Sequence, residues 1–279
     1  MYESVIKAQS GQLCWRMAAF VTWEELSPTS PAKRCYRRTW PSCALDPQTL
    51  PLINGSPRIG PCIGSVGKVI CVGLNYRDHA VEANMPIPSE SILFLKPTSA
   101  IVGPNDNVEI PLGAEKTDWE VELGVVIGKA GKYVPVERTL DHVAGYCVVN
   151  DVSERSFQLE RGGQWDKGKG CDTFAPIGPW FVTRDEVPEP QGLDLWLEVD
   201  GERMQAGNTR TMIFDVAHLV SHISHFMSLR TGDVIATGTP RGVGMGHKPP
   251  RYLKVGQTVR LGISGLGTQT QRTVPATHL

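Results

Sequence analysis

Asp118-Trp-Glu-Val-Glu-Leu-Gly-Val-Val-Ile-Gly128 begins in strict alternation and ends in an unbroken apolar run. Successive side chains of a β-strand point to opposite faces, so Asp118, Glu120 and Glu122 share one side and Trp119, Val121 and Leu123 the other. An apolar run that fills both faces belongs to a strand buried on both. The stretch therefore reads as a strand that enters a core from a polar mouth. On spacing alone, its glutamates also fit an ordinary solvated strand face.

Outward from this strand the pattern repeats. Ala144-Gly-Tyr-Cys-Val-Val-Asn150 is a second buried strand, ending at Asp151, and Lys68-Val-Ile-Cys-Val-Gly-Leu74 is a third. Asn75 stands where an N-cap is needed for a helix through Arg77 to Ala83, stopped by Pro86 and Pro88. Ile92 to Lys96 and Val108 to Ile110 add strands on either side of the Gly103-Pro104-Asn105-Asp106 turn. Asp200-Gly201, between Leu195–Val199 and Glu202–Met204, is a strong hairpin signal. Ser156 to Arg161 and Phe214 to Met227 read as helices, and Asp233 to Thr237 and Thr258 to Gly262 as closing strands. Many short strands with few helices predict an α+β, β-rich architecture.

Composition narrows the function. The chain of 279 residues carries 29 glycines and 21 prolines, which favours turns and short elements. A net charge of −1 gives no basic footprint for nucleic acid and no polybasic membrane surface. No apolar run approaches the length of a membrane span. Seven cysteines without a C-x-x-C pair suit neither a disulfide framework nor a zinc ribbon, so a cytoplasmic protein with reduced thiols is expected. Residues 1–43 differ from the rest: they hold three of the seven Trp and three of the seven Cys, with little periodicity. We set off 1–65 as a small N-terminal region and 66–279 as the catalytic domain.

Three groups of residues carry chemistry. If Glu120, Glu122 and Asp151 converge, each like-charged pair about 5 Å apart repels by roughly 3 kcal/mol at an effective dielectric near 20. A bound cation removes that cost, and an all-oxygen set favours Mg²⁺, Mn²⁺ or Ca²⁺ over zinc. His79 and Glu82 lie at i and i+3, where they form either a surface pair or a general base whose imidazole the carboxylate orients. Lys169, in Gly168-Lys-Gly170, is either a solvated loop lysine or a positive charge aimed at an oxyanion. Its loop is not a G-x-x-x-x-G-K-[ST] phosphate cradle. Thr237-Gly-Thr-Pro-Arg-Gly-Val-Gly244 offers hydroxyls and backbone N–H groups for an anion. His218, His222 and His225 invite a zinc-helix reading. Without H-E-x-x-H, and beside the Leu219, Ile223, Phe226 stripe, they are better read as the polar face of an amphipathic helix. Cys147 reads as a small core residue and Cys171 as a minor nucleophile candidate.

In this order the motifs resemble the fumarylacetoacetate hydrolase family. The matching text is Gly73-Leu-Asn-Tyr-Arg-Asp-His-Ala80 with Glu82, Phe94-Leu-Lys-Pro97, Asp118 to Gly128, Asn150-Asp-Val-Ser153, Lys169-Gly-Cys-Asp-Thr-Phe174 and Thr237 to Gly244. The resemblance runs from about residue 66 to 268. It implies a mixed β-sandwich roll, a Mg²⁺ or Mn²⁺ cofactor (Ca²⁺ in crystals) and a homodimer. It implies Glu120, Glu122 and Asp151 as metal ligands, with Asp118 and Thr173 standing behind them. It further implies His79 with Glu82 as a water-activating pair, Lys169 as an active-site cation, and Gln158, Arg161 and Thr239 as substrate contacts. Residues 1–43 depart from the family's usual start. A shifted reading frame that rejoins the family text near Ala44 is the hypothesis we attach to them, and comparing the coding sequence in all three frames tests it.

The reaction expected from the resemblance is hydrolysis of a carbon–carbon bond in a 2,4-dioxo acid, such as a 2,4-diketo-3-deoxy sugar acid, releasing pyruvate or a related 2-oxo acid. Relatives with these motifs instead isomerise or decarboxylate 2-hydroxy-diene or 2-oxo diacids, or are of the ureidoglycolate lyase type. A metal-binding protein without turnover is the rival of another class.

Overall fold

The computed structural model describes residues 56–277. The hypothesis for residues 1–43 lies outside them, as does the expected N-terminal region apart from 56–65.

The apolar runs become strands because alternate side chains find two different cores. In chain order they are β1 (Val69–Gly73), β2 (Ile92–Lys96), β3 (Ile101–Val102), β4 (Val108–Ile110), β5 (Thr117–Asp118), β6 (Val121–Ile127) and β7 (Val143–Asn150). There follow β8 (Ser153–Glu154), β9 (Ala175–Thr183), β10 (Asp194–Val199), β11 (Glu202–Asn208), β12 (Val234–Ala236), β13 (Thr258–Ile263) and β14 (Gly267–Pro275). The α-helices are short: α1 (Arg77–Glu82), α2 (Arg155–Leu159), α3 (Asp166–Lys169) and α4 (Val216–Phe226). Seven strands form one mixed sheet in the order β2-β1-β12-β6-β7-β9-β3, and five form a second in the order β11-β10-β13-β14-β4. β5 and β8 pair in a separate two-stranded ribbon.

One face of the large sheet packs against the small sheet. Val121, Leu123, Val125 and Ile127 of β6 join Leu195, Leu197, Val259 and Leu261 in that core. The opposite parity of the same strands, Val126, Cys147, Val149, Val69 and Cys71, builds a second apolar cluster with Phe94 and Ile177. Glu120 and Glu122 belong by parity to this second face. α4 buries Val216, Leu219, Val220 and Ile223 in the first core, and Asp215 caps it by accepting from the His218 N–H at 2.7 Å.

The hairpin at Asp200-Gly201 has both φ angles positive (49° and 83°), as a two-residue turn of the primed type requires. One expectation needs correcting. Asn75 does not cap α1, whose cap position is Tyr76 with no side-chain bond. The buried Asn75 amide donates to Phe214 O (3.0 Å) and Thr237 O (2.8 Å) and accepts from Phe214 N–H (2.9 Å). It ties β1 to two distant segments instead, an alternative for a polar side chain that local sequence does not reveal.

Candidate active site

The carboxylates converge because of strand register. β6 and β7 run antiparallel with Glu122 opposite Val149, and one step beyond the ladder the Asp151 N–H donates to Glu120 O at 2.9 Å. Glu120 and Asp151 are thus cross-strand neighbours on the second face, with Glu122 two residues further along it. One oxygen from each of the three lies within 4.8 Å of the others, and all three residues are buried.

Buried cations hold this cluster. Lys169 Nζ reaches Glu120 Oε2 at 2.6 Å and Asp151 Oδ2 at 2.9 Å. Lys96 Nζ grips Asp151 Oδ1 and donates to Val152 O at 2.9 Å. Arg155 donates to Glu120 Oε1 at 2.7 Å and to Asp118 Oδ2 at 2.9 Å. Asp118 also accepts from the N–H groups of Trp119 (2.8 Å), Gly244 (2.6 Å) and Met245 (3.1 Å). Burial would raise the Glu120 carboxyl, but Lys169 and Arg155 prevail and hold it at about 2. Burial would lower the Lys169 ammonium, but Asp151 and then Glu120 keep it above its ordinary range.

Glu122 is different. Its recorded partner is the Gly238 N–H at 2.9 Å, and no cation pairs with it among the described residues. Burial, then Asp151, then Glu120 push its carboxyl well above the usual range. Three oxygens facing one another, one of them on a carboxylate without a counter-charge, fit a hard divalent cation.

His79 and Glu82 sit on α1, with Nδ1 3.2 Å from Glu82 Oε2. The Gly242 N–H donates to both Glu82 oxygens at 2.9 and 3.1 Å. Burial raises the Glu82 carboxyl, but the bonds from His79 and Gly242 outweigh it and the net shift is downward.

The other expected residues are dispersed. Gln158 is buried, but its carbonyl oxygen accepts from Arg155 at 3.1 Å. Thr239 donates its hydroxyl to Val121 O at 2.9 Å and accepts from Gln205 at 2.8 Å, so both functions of that hydroxyl tie the 237–244 loop to β6 and β11. Thr173 accepts from the Glu109 N–H at 2.8 Å. Arg161 is exposed, with its guanidinium 4.1 Å over the Phe157 ring, and the structure does not bring it to the carboxylates. His218 and His222 stack with centroids 5.6 Å apart on α4, and His225 bonds Ser221 O. Cys147 is buried in the second core and Cys171 is half-buried. Sequence reasoning assigned no role to Arg155 or Lys96. The signal was available in principle, since four acids on buried strand ends demand buried cations.

Carboxylates meeting at strand ends, caged by lysines and flanked by a carboxylate-backed histidine, define the chain's class: a β-rich roll with an enzyme-like polar centre. A family model described as the fumarylacetoacetate (FAA) hydrolase C-terminal region matches residues 68–274, and the chain belongs to that family. A protein of Burkholderia cenocepacia (strain HI2424), provisionally named a hydrolase, is 69% identical over 231 residues, 82% of each chain. Among solved structures, a fumarylacetoacetate hydrolase from the psychrophile Exiguobacterium antarcticum is 37% identical over 84% of each chain, with a TM-score of 0.77. A 5-carboxymethyl-2-hydroxymuconate delta-isomerase from Mycobacterium smegmatis is 40% identical over 79% of this chain and 83% of that one, TM-score 0.70. A 2-hydroxyhepta-2,4-diene-1,7-dioate isomerase from Mycobacterium marinum is 39% identical over 82% and 84%, TM-score 0.69. Hydrolases and isomerases both stand among the proteins this chain is similar to.

Proposed function

We propose that the protein hydrolyses the C3–C4 bond of a 2,4-dioxo acid with the help of a divalent cation held by Glu120, Glu122 and Asp151. Glu120, Glu122 and Asp151 would hold Mg²⁺ or Mn²⁺ through their oxygens, and the cation would supply Lewis acidity to the 2-oxo acid end of the substrate. With Nδ1–H directed at Glu82, the basic nitrogen of His79 is Nε2, and it takes the proton from an attacking water. The water oxygen bonds to C4, the C3–C4 bond breaks, and C3 takes up a proton. The products are a 2-oxo acid and a carboxylic acid. Lys169, kept protonated by Glu120 and Asp151, offsets negative charge that develops beside it.

The observation that carries this reading is the Glu82 clasp. A carboxylate braced by a backbone N–H and kept ionised orients a histidine as a base, which water attack needs. Product analysis tests it: wild-type enzyme with Mn²⁺ and a 2,4-dioxo acid yields equal amounts of 2-oxo acid and carboxylic acid. A tautomer alone, or CO₂, replaces hydrolysis with the second reading, isomerisation or decarboxylation. The two isomerases that share 39% and 40% identity support that second reading, as the hydrolase at 37% identity supports the first.

A further inference from the structure

The D-x-E-x-E run that opens the central strand holds one acid more than the two that converge with Asp151. Asp118 is fully buried, two residues before Glu120 and on the same side by parity. The β5–β8 ribbon sets Asp118 opposite Ser153, which brings Arg155, the first residue of α2, within reach. All three guanidinium nitrogens of Arg155 are then used. Nε donates to Asp118 Oδ2 at 2.9 Å, Nη2 to Glu120 Oε1 at 2.7 Å and Nη1 to Gln158 Oε1 at 3.1 Å. A planar fork bound at three points holds its two carboxylates in a fixed relation.

Asp118 also grips the glycine-rich loop. Oδ1 accepts from the Gly244 N–H at 2.6 Å and Oδ2 from the Met245 N–H at 3.1 Å. A Cβ on Gly244 would stand 2.7 Å from Asp118 Oδ1 and 2.0 Å from Arg251 O, so a side chain there would hold the loop away. The two residues that flank this attachment enclose Glu82. Gly242 donates its N–H to both carboxylate oxygens, and a Cβ on Gly246 would stand 2.5 Å from Glu82 Cδ. Trp119 Nε1 holds the loop as well, donating to Gly242 O at 3.0 Å, but Asp118 is the anchor that is bonded to Arg155 too. Contacts therefore run unbroken from Glu120 through Arg155, Asp118 and the 242–246 segment to Glu82 and His79.

We infer that Asp118 is a positioning residue that ties the two halves of the site together: by gripping Gly244 and Met245 while it bonds Arg155, it sets where Glu82, and with it His79, stands relative to Glu120. The inference rests on the hydrolytic reading for the roles of His79 and Glu120, but the tie itself belongs to the metal-free chain. Arg155 is bonded to no residue of 242–246 among the described residues. A change at Arg155 reaches that segment through Asp118 if the contacts act as one network.

Hydrogen exchange of the full chain in EDTA, read by mass spectrometry on peptides covering 241–247 and α4, compares wild type, Asp118→Asn and Arg155→Lys, with Mn²⁺ titration calorimetry alongside. Asp118→Asn keeps the shape of the side chain and removes its charge. It speeds exchange in 242–246 by about tenfold, leaves α4 unchanged and weakens Mn²⁺ binding by about tenfold or more. Arg155→Lys keeps the charge without the fork and speeds exchange in the same segment by a smaller factor. Exchange at 242–246 that is unchanged in either variant overturns the inference. So does a rise matched in α4, because Asp118 would then only support the fold, and so does full Mn²⁺ affinity in Asp118→Asn, because it would then serve the loop alone. Should Asp118→Asn fail to fold, the exchange of Arg155→Lys decides by the same criteria. Wild-type enzyme that cleaves no dioxo acid ends the hydrolytic reading and leaves the exchange result standing, so the two failures are told apart.

Discussion

Glu82 accepts from one backbone N–H through both oxygens and faces an imidazole with one of them, so its contacts reward the ionised form. Its folded pKa is lowered from 4.5, and the stability it contributes is therefore present above about that pH and lost as pH falls through the lower folded value. The gap in thermal midpoint between wild type and Glu82→Gln should be widest near pH 7 and should narrow progressively as pH falls below 4.5. A gap that stays constant across the acid range would contradict the clasp. The two halves of the site should also separate by mutation. His79→Ala is expected to lower kcat by roughly 10²–10⁴-fold while leaving Mn²⁺ affinity intact, as titration calorimetry would read. Glu122→Ala should weaken Mn²⁺ binding by at least about tenfold. Equal loss of metal binding in both variants would mean that the histidine belongs to the metal rather than to water.

At the scale of elements, β6 and β7 were legible because their period and parity are set by burial; parity put Glu120 and Glu122 on one face, and Asp151 was marked by its place at the end of a separate apolar strand. β9 and β14 were not. Ala175–Thr183 contains Pro176 and Pro179, which argue against a central strand, yet it pairs with both β7 and β3. Gly267–Pro275 lacks an apolar alternation because its inward residues are Gln269, Gln271 and Thr273, all buried. Gln269 reaches across to the large sheet and donates to Val148 O and Gly178 O at 2.8 Å each. A buried amide satisfied by another sheet's backbone holds the two layers together but looks, in sequence, like a solvated residue. The dyad's surroundings were partly legible, since the 237–244 loop was singled out. Its action through the Gly242 N–H needed the fold, and so did the pairing of Arg155 with acids 35 and 37 residues away. Gln269→Ala should cost about 2–3 kcal/mol in urea unfolding with an unchanged m-value, because it strands backbone acceptors. Thr270→Ala, exposed on the same strand, should stay within about 0.5 kcal/mol. If the two cost the same, the glutamine is not the tie between the sheets.

For the whole molecule, the decisive quantity is the charge enclosed at the polar mouth of the roll. Asp118, Glu120, Glu122 and Asp151 are all buried, and Lys96, Arg155 and Lys169 are the buried cations paired among them. With every group ionised the described cluster carries one negative charge in excess, and the excess sits where Glu122 lacks a counter-ion. If, as proposed, the folded protein binds a divalent cation there and the unfolded chain does not, the cation stabilises the fold. At a hundred times its Kd, such a ligand adds about 2.7 kcal/mol. For a domain of this size that is roughly 5–10 °C in the thermal midpoint. Scanning calorimetry of the full chain in EDTA and then in saturating Mn²⁺ should show that rise, and Glu122→Ala should abolish it while His79→Ala keeps it. The chelated protein should retain its far-UV circular dichroism and lose turnover, because the three cations already stabilise most of the cluster. An unchanged midpoint in wild type on adding Mg²⁺, Mn²⁺ or Ca²⁺ would show that the carboxylates are balanced without a metal, and the proposed chemistry would fall with the site.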